Sequence, residues 1–233
     1  MNKVVVDYRI NKEEKEKLEA LGYESIICPP NKVLYDAVCG HPDMLMHIVD
    51  KSTIIVHKDM DKDFVSALNV YGYNILFSAH PIESTYPGDI ALNAVNLSNI
   101  FMHNLDYTDT TLLEAVKSKK LLKVKQGYTK CSTAIINKNA VMTSDIGIAK
   151  ALENEDFDVL LLPPGDIQLP GLNYGFIGGC CGLLDENLLA FYGDLNQYAY
   201  GKEVLNFLYK HNVKPVFLGK GKLVDRGSIF LLS

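Results

Sequence analysis

Apolar and polar positions alternate along this chain in a pattern that returns several times. In DMLMHIVDKSTIIVH (43–57) two apolar stretches flank a polar Asp50-Lys51-Ser52, the signature of two strands joined by a tight reversal. The pattern returns, without gaps, in DIALNAVNLSNIFMH (89–103), KCSTAIINKNAVMTS (130–144) and GGCCGLLDENLLAFY (178–192). The turn residues Asp50, Asn96, Asn137 and Asp185 are spaced by 46, 41 and 48 residues. Asp and Asn suit a reversal because their short side chains bond the backbone two residues on.

Each hairpin is followed by a segment with apolar residues at helical spacing: 61–72, 109–120, 145–156 and 197–210. Three of these open on an aspartate able to cap a helix N-terminus, Asp61, Asp109 and Asp145. A short apolar strand comes next, as in YNILFSA, LLKVKQ, DVLLLPP and VKPVFLG. The unit is therefore ββαβ, present four times.

The ends of the chain supply a fifth copy. VVVDYR predicts a strand, INKEEKEKLEALGY a helix capped by Asn11 with Glu14 completing a capping box, and ESIICPP a strand. The missing first strand is LVDRGSIFLLS at the other end, whose Arg226-Gly227-Ser228 aligns with Lys130-Cys131-Ser132. Pairing 223–233 with 3–8 closes five units into a ring and removes an exposed sheet edge. The prediction is one α/β domain over residues 1–233, a five-bladed propeller of ββαβ modules with the fifth module closed by the N- and C-terminal strands.

Composition narrows the function classes. The 233 residues, 48% hydrophobic and 22% charged, suit a soluble globular core. A net charge of −5 with scattered basic residues argues against nucleic acid. No apolar run is long enough to span a bilayer and MNKVVVDYR is no secretory leader, so a cytoplasmic protein that does not engage membrane is expected. The five cysteines form no paired framework and no CxxC, so reduced thiols are expected. Cys39-x-His41 is the one Cys/His pair with ligand spacing and it lacks partners, so neither a metal nor another cofactor is anticipated.

The ring of ββαβ units resembles the pentein fold of the guanidino-group-modifying enzymes: dimethylarginine dimethylaminohydrolase, the arginine and agmatine deiminases, and the amidinotransferases. HPDMLMHIVDKSTIIVHK (41–58) is similar to that family's first-module Pro-Asp stretch, and YPGDIALNAVNLSNIFMHN (86–104) to its Glu-Gly-Gly-Asp module. KVKQGYTKCSTAIINKNAVMTSDIGIAKAL is similar to the segment that begins with the catalytic His, and KLVDRGSIFLLS to the strand bearing the catalytic Cys. Lys123-Val124-Lys125 stands where the His is expected, Arg226-Gly227-Ser228 where the Cys is expected, and Tyr86 in place of the Glu. The resemblance implies a small cationic ligand, guanidino or amino-acid-like, in a central channel, gripped by the surviving acids Asp43 and Asp89, without the usual Cys/His pair. The alternative is an active C–N hydrolase or amidinotransferase with a relocated thiol.

Several residues compete for roles there. Aligned positions converge on the ring axis, placing Asp43, Asp89, Lys130, Gly178 and Arg226 together as a ligand site or as mutually paired charges. Cys180 and Cys181, in the glycine-rich YGFIGGCCGLL (174–184), and Cys131, beside Lys130, are the candidate nucleophiles or packing thiols. Glycine within such a strand marks close approach of a ligand or of another backbone. His41 is the candidate proton shuttle, whereas His57 and His103 are equivalent positions of the repeat. Asp166, in the Pro/Gly-rich PPGDIQLPG (163–171), either reaches over the channel from a loop or lies in a plain turn. A homo-oligomer is left open.

Overall fold

The computed structural model describes residues 2–232. The first module of the repeat comprises the helical turn α2 (Pro42–Leu45), β3 (Met46–Ile48), β4 (Thr53–Val56), α3 (Lys62–Val70) and β5 (Asn74–Phe77). The second contains β6 (Val95–Asn96), β7 (Ile100–His103), α4 (Thr110–Ala115) and β8 (Lys120–Lys123). The third contains β9 (Thr133–Asn137), β10 (Ala140–Thr143), α5 (Ile146–Glu153) and β11 (Asp158–Leu161), and the fourth β12 (Cys181–Asp185), β13 (Leu188–Phe191), α6 (Gly201–Lys210) and β14 (Lys214–Phe217). The fifth joins the two ends: β15 (Phe230–Leu232) with β1 (Asn2–Asp7), α1 (Lys12–Ala20) and β2 (Tyr23–Cys28).

Five three-stranded sheets result, and each repeats one topology: the first strand antiparallel to the second, the second parallel to the third. In the fifth sheet the termini pair as the repeat requires, with Val5 opposite Phe230 and Lys3 opposite Leu232. The parallel step needs a crossover, which the helix of each module provides.

Local chemistry explains the boundaries. Asp61 Oδ1 accepts from Asp63 N and Phe64 N, both at 3.0 Å, Asp109 Oδ1 from Thr111 N at 2.9 Å, and Asp145 Oδ1 from Ile148 N at 2.8 Å. Asn11 and Glu14 form the reciprocal capping box. Each such cap contributes about 1 kcal/mol. Asp50, Asn137 and Asp185 bond the backbone N–H two residues on, at 2.7–2.8 Å, and so close their hairpins.

The second hairpin departs from the pattern. Asn96 Nδ2 donates to Ile48 O and Val49 O of the first module, and its Oδ1 takes a hydrogen bond from Lys119. Residues ahead of it form turns, so the first strand shrinks to Val95–Asn96.

The core is divided among five apolar clusters, and each spans two modules. Val5, Cys28 and Leu232 pack with Met46 and Ile54 of the first module; Ile55 packs with Leu92, Phe101 and Leu112 of the second. Met102 of the second meets Val141, Ile148 and Leu152 of the third, Met142 of the third meets Phe191 and Val204 of the fourth, and Tyr192 of the fourth meets Val4, Val6 and Leu18 of the fifth. Each buried Leu, Ile or Phe contributes roughly 1.5–3 kcal/mol, so every module is held chiefly by its neighbours. Among the described residues no helix is long and apolar enough to cross a membrane.

Candidate functional site

Ahead of each first strand runs a short irregular lead-in segment, and the lead-ins bond one another. Asp43 N donates to Gly227 O (3.1 Å), Arg226 N to Gly179 O (3.0 Å), Gly179 N to Cys131 O (3.0 Å) and Lys130 N to Asn93 O (3.1 Å), while Asn93 Nδ2 donates to Asp43 O (3.0 Å). Of the aligned positions, 43 lies in the helical turn α2, 89, 130 and 178 on turns and 226 on irregular backbone, and none on a strand as the sequence predicts.

Three of the sequence candidates meet here. One donor atom each from His41, Asp43 and Cys131 lies within 4.8 Å of the others, and all three residues are buried. Asp43 Oδ2 faces the Ser228 hydroxyl at 2.7 Å, and Lys130 Nζ donates to the same hydroxyl oxygen at 2.9 Å. The predicted acid and base thus meet through Ser228. Ser228 has a φ of 74°, a left-handed backbone unusual for a residue with a side chain, and follows Gly227 at 68°. At Gly227 a side chain is impossible, because its Cβ would lie 2.2 Å from His41 Cβ.

Sequence reasoning missed Asp225. Its Oδ1 lies 3.8 Å from His41 Nδ1, and its carboxylate accepts from Phe176 N (2.8 Å) and Gly227 N (3.0 Å). The glycine-rich stretch explains its place: a Cβ on Gly179 would sit 2.0 Å from Asp225 Oδ1, and one on Gly175 2.4 Å from Asp225 Cβ. At Gly178 and Gly182 the close approach is the one anticipated, that of another backbone (a Cβ there would meet Lys130 O at 2.4 Å and Ile229 O at 2.0 Å), whereas at Gly175 and Gly179 it is a side chain, this carboxylate. Asn93 was missed as well; its Nδ2 donates to Cys131 Sγ at 3.1 Å and its Oδ1 accepts from Lys130 N at 2.8 Å.

Burial governs the charge state. It pushes Asp225 up to about 7, with the neighbouring Asp43 adding to the shift, and it raises Asp43. It pushes the Cys131 thiol well up, aided by Asp43, and holds His41 well below the usual histidine range, aided by Arg9. A neutral His41 makes no ion pair with Asp225, and at 3.8 Å the contact is too long for a hydrogen bond. Both His41 ring nitrogens and Asp43 Oδ1 are buried without a hydrogen-bond partner.

A cavity of about 190 Å³ opens onto His41, Cys131 and Asp225. Its walls carry four aromatic rings: Tyr35, Tyr128, Tyr174 and Phe176. Tyr128 stacks on Phe176 at 6.3 Å and donates to Asp89 Oδ2 at 2.8 Å. Asp89 is buried behind that tyrosine, and burial raises its pKa.

The other candidates lie elsewhere. Arg226 pairs with Glu14, donates to Arg9 O and lies over the Tyr192 ring, so it fastens the lead-in of β15 to the start of α1. Asp166 accepts from Ala199 N (2.8 Å) and Lys222 Nζ (2.5 Å); of its loop, Leu169 and Leu172 line the cavity. Cys180 and Cys181 are both buried and both donate to Ile177 O, at 3.1 and 3.2 Å. Cys181 lines a different, mainly apolar cavity of about 490 Å³, together with His47, Lys130 and Phe230. His57 Nδ1 sits 3.3 Å from Ser78 Oγ, and His103 bonds Thr108 Oγ1 (2.7 Å) and Gly127 O (2.9 Å). Cys39 Sγ faces Tyr8 OH and Asp36 O at 3.6 Å.

Five three-stranded αβ modules with this topology share the fold of the pentein enzymes. Residues 5–230 match the model of a family of unknown function, DUF6873, and the chain belongs to that family. An inosamine-phosphate amidinotransferase of Streptomyces griseus is similar in structure, with a TM-score of 0.60 at 12% identity over 93% of this chain and 77% of that one. So is DDAH from Pseudomonas aeruginosa, with a TM-score of 0.55 at 9% identity over 93% and 91%. An agmatine deiminase of C. jejuni gives 0.57 at 12% identity over 93% and 86%. At these identities the likeness is one of fold. No curated protein matches the chain.

Proposed function

We propose that the five modules close into one five-bladed propeller and that the protein binds a small organic cation, of guanidino or amino-acid-like type, in the cavity above His41, Cys131 and Asp225. Closure is supported by the cycle of hydrogen bonds through all five lead-ins, and by five apolar clusters that link every module to the next and the fifth to the first. The observation that carries the ligand reading is the cavity itself: four aromatic rings around a buried carboxylate, Asp225, which no lysine or arginine pairs among the described residues. Ring faces attract a cation by about 0.5–2 kcal/mol each, and a carboxylate orients it through charge-assisted hydrogen bonds.

The test is calorimetric titration with methylguanidine. Stoichiometric binding is expected, weakened at least about tenfold by Asp225→Asn, since about 1.4 kcal/mol of lost pairing is tenfold. No heat of binding, or equal affinity in Asp225→Asn, contradicts the reading.

The grouping of Cys131, His41 and Asp43 favours a second reading, C–N bond chemistry at the same place. Cys131 gives its proton to the neutral His41 and attacks the guanidinium carbon, forming a C–S bond. The C–N bond breaks as the amine leaves with that proton, and water then cleaves the C–S bond. Ammonia release and a transient mass increase on Cys131 distinguish turnover from binding alone.

A further inference from the structure

The same fold contacts that gather His41, Asp43 and Cys131 leave both His41 nitrogens and one Asp43 oxygen unused. His41 is 1% exposed, yet neither ring nitrogen has a partner, and Asp43 Oδ1 is buried and equally unsatisfied. A buried polar atom left unpaired lowers stability. Three such atoms beside one thiol mark a place where a group is meant to sit, and imidazole, carboxylate and sulfur together suit a borderline-soft metal.

The geometry points to a site for a thiophilic divalent cation of the zinc type, built from His41, Asp43 and Cys131, with Asp225 beside His41. Tetrahedral zinc bonds of about 2.0–2.3 Å place ligand atoms roughly 3.3–3.8 Å apart. One ligand atom each of His41, Asp43 and Cys131 lies within 4.8 Å of the others, a closure of about 1 Å from that spacing, and Asp225 Oδ1 stands 3.8 Å from His41 Nδ1.

The surroundings are those of a supported metal site. Asn93 Nδ2 donates to Cys131 Sγ, the bond that steadies a thiolate. Ser228 holds Asp43 by Oδ2 and leaves Oδ1 free, while two backbone N–H groups fix Asp225. Charge also balances, because the two carboxylates and a thiolate face the dication together with Lys130, which bonds Ser228. The aromatic cavity gives access, since His41, Cys131 and Asp225 all line it. No sequence spacing announces these ligands, because Cys131 comes from a different module than His41 and Asp43.

The proposal stands apart from the organic-cation reading, although the two occupants exclude one another. The test is titration of the chelator-stripped full chain with Co(II), the spectroscopic stand-in for zinc. Stoichiometric binding is expected, with a near-ultraviolet thiolate-to-cobalt charge-transfer band and intense visible bands of a tetrahedral ion, all abolished by added zinc. Cys131→Ser removes the charge-transfer band, whereas Cys180→Ser keeps it. Should Cys131→Ser fail to fold, His41→Gln and Asp43→Asn each weaken cobalt binding about tenfold or more. A spectrum without the thiolate band, a band that survives in Cys131→Ser, or affinity unchanged in His41→Gln and Asp43→Asn overturns the proposal. The readings fail separately, for methylguanidine calorimetry decides the first and the cobalt spectrum the second.

Discussion

Two regions of the molecule bury the same kinds of residue to opposite effect. Where the lead-ins meet, His41 has no hydrogen-bond partner and Cys131 has Asp43, Asn93 and His41 about it. At the end of β7, His103 is bonded at both nitrogens, and Cys180 lies in the apolar cluster between the third and fourth modules with its thiol on Ile177 O. Burial is equal, so burial does not separate a site from a core. What differs is whether the polar atoms are satisfied by their own module or left open among residues brought from several.

The comparison is tested most severely by acid. His57 and His103 are held down to about 4 by burial, below the ordinary 6.5, so the unfolded chain binds protons that the folded one refuses. Stability is therefore full above about 6.5 and falls as pH drops through about 4, by on the order of 3 kcal/mol for each histidine. Denaturant midpoints measured from pH 7 to pH 4 are expected to show this fall, and His103→Gln to flatten it; an unchanged slope would break the structural half of the comparison.

Gly179→Ala comes next. Its Cβ would collide with Asp225, and overpacking of this kind costs on the order of 1–3 kcal/mol. Loss of methylguanidine binding is expected to accompany the loss of stability, because the displaced group is the carboxylate. A variant that loses stability but binds normally would detach Asp225 from the site.

A smaller contrast separates the thiols themselves. Cys180→Ala is expected to cost about 1 kcal/mol in chemical denaturation, through lost apolar contact, and to leave binding unchanged. Cys131→Ala is expected to alter binding at a lower cost in stability. The smallest effect belongs to Asp166→Ala, which breaks a surface pair with Lys222 and is expected to shift stability by less than about 1 kcal/mol with no change in affinity.

The architecture was legible because it is written locally. Asp61, Asp109, Asp145 and the Asn11/Glu14 box mark helix starts within a few residues, and three of the four hairpin turns repeat the same Asx chemistry. The pairing of β15 with β1 followed from counting strands in the repeat. The candidate site was legible only in part. Asp43, Cys131 and His41 could be named, but Arg226 turned to Glu14 and Asp166 to Lys222, since long side chains on irregular backbone take the nearest counter-charge. Asp225 gave no motif, and its one trace was the glycine-rich stretch of another module that makes room for it. Side chains that meet only through tertiary contacts have no common spacing in sequence.

The measurement that bears most directly on the account is the alkylation of native protein by iodoacetamide, mapped cysteine by cysteine by mass spectrometry with and without methylguanidine. Cys131 is expected to react ahead of Cys180 and Cys181, and methylguanidine to protect it alone. Equal labelling of the three thiols, or labelling of Cys131 that methylguanidine leaves untouched, would contradict the claim that the cavity above Cys131 is where this protein meets its ligand.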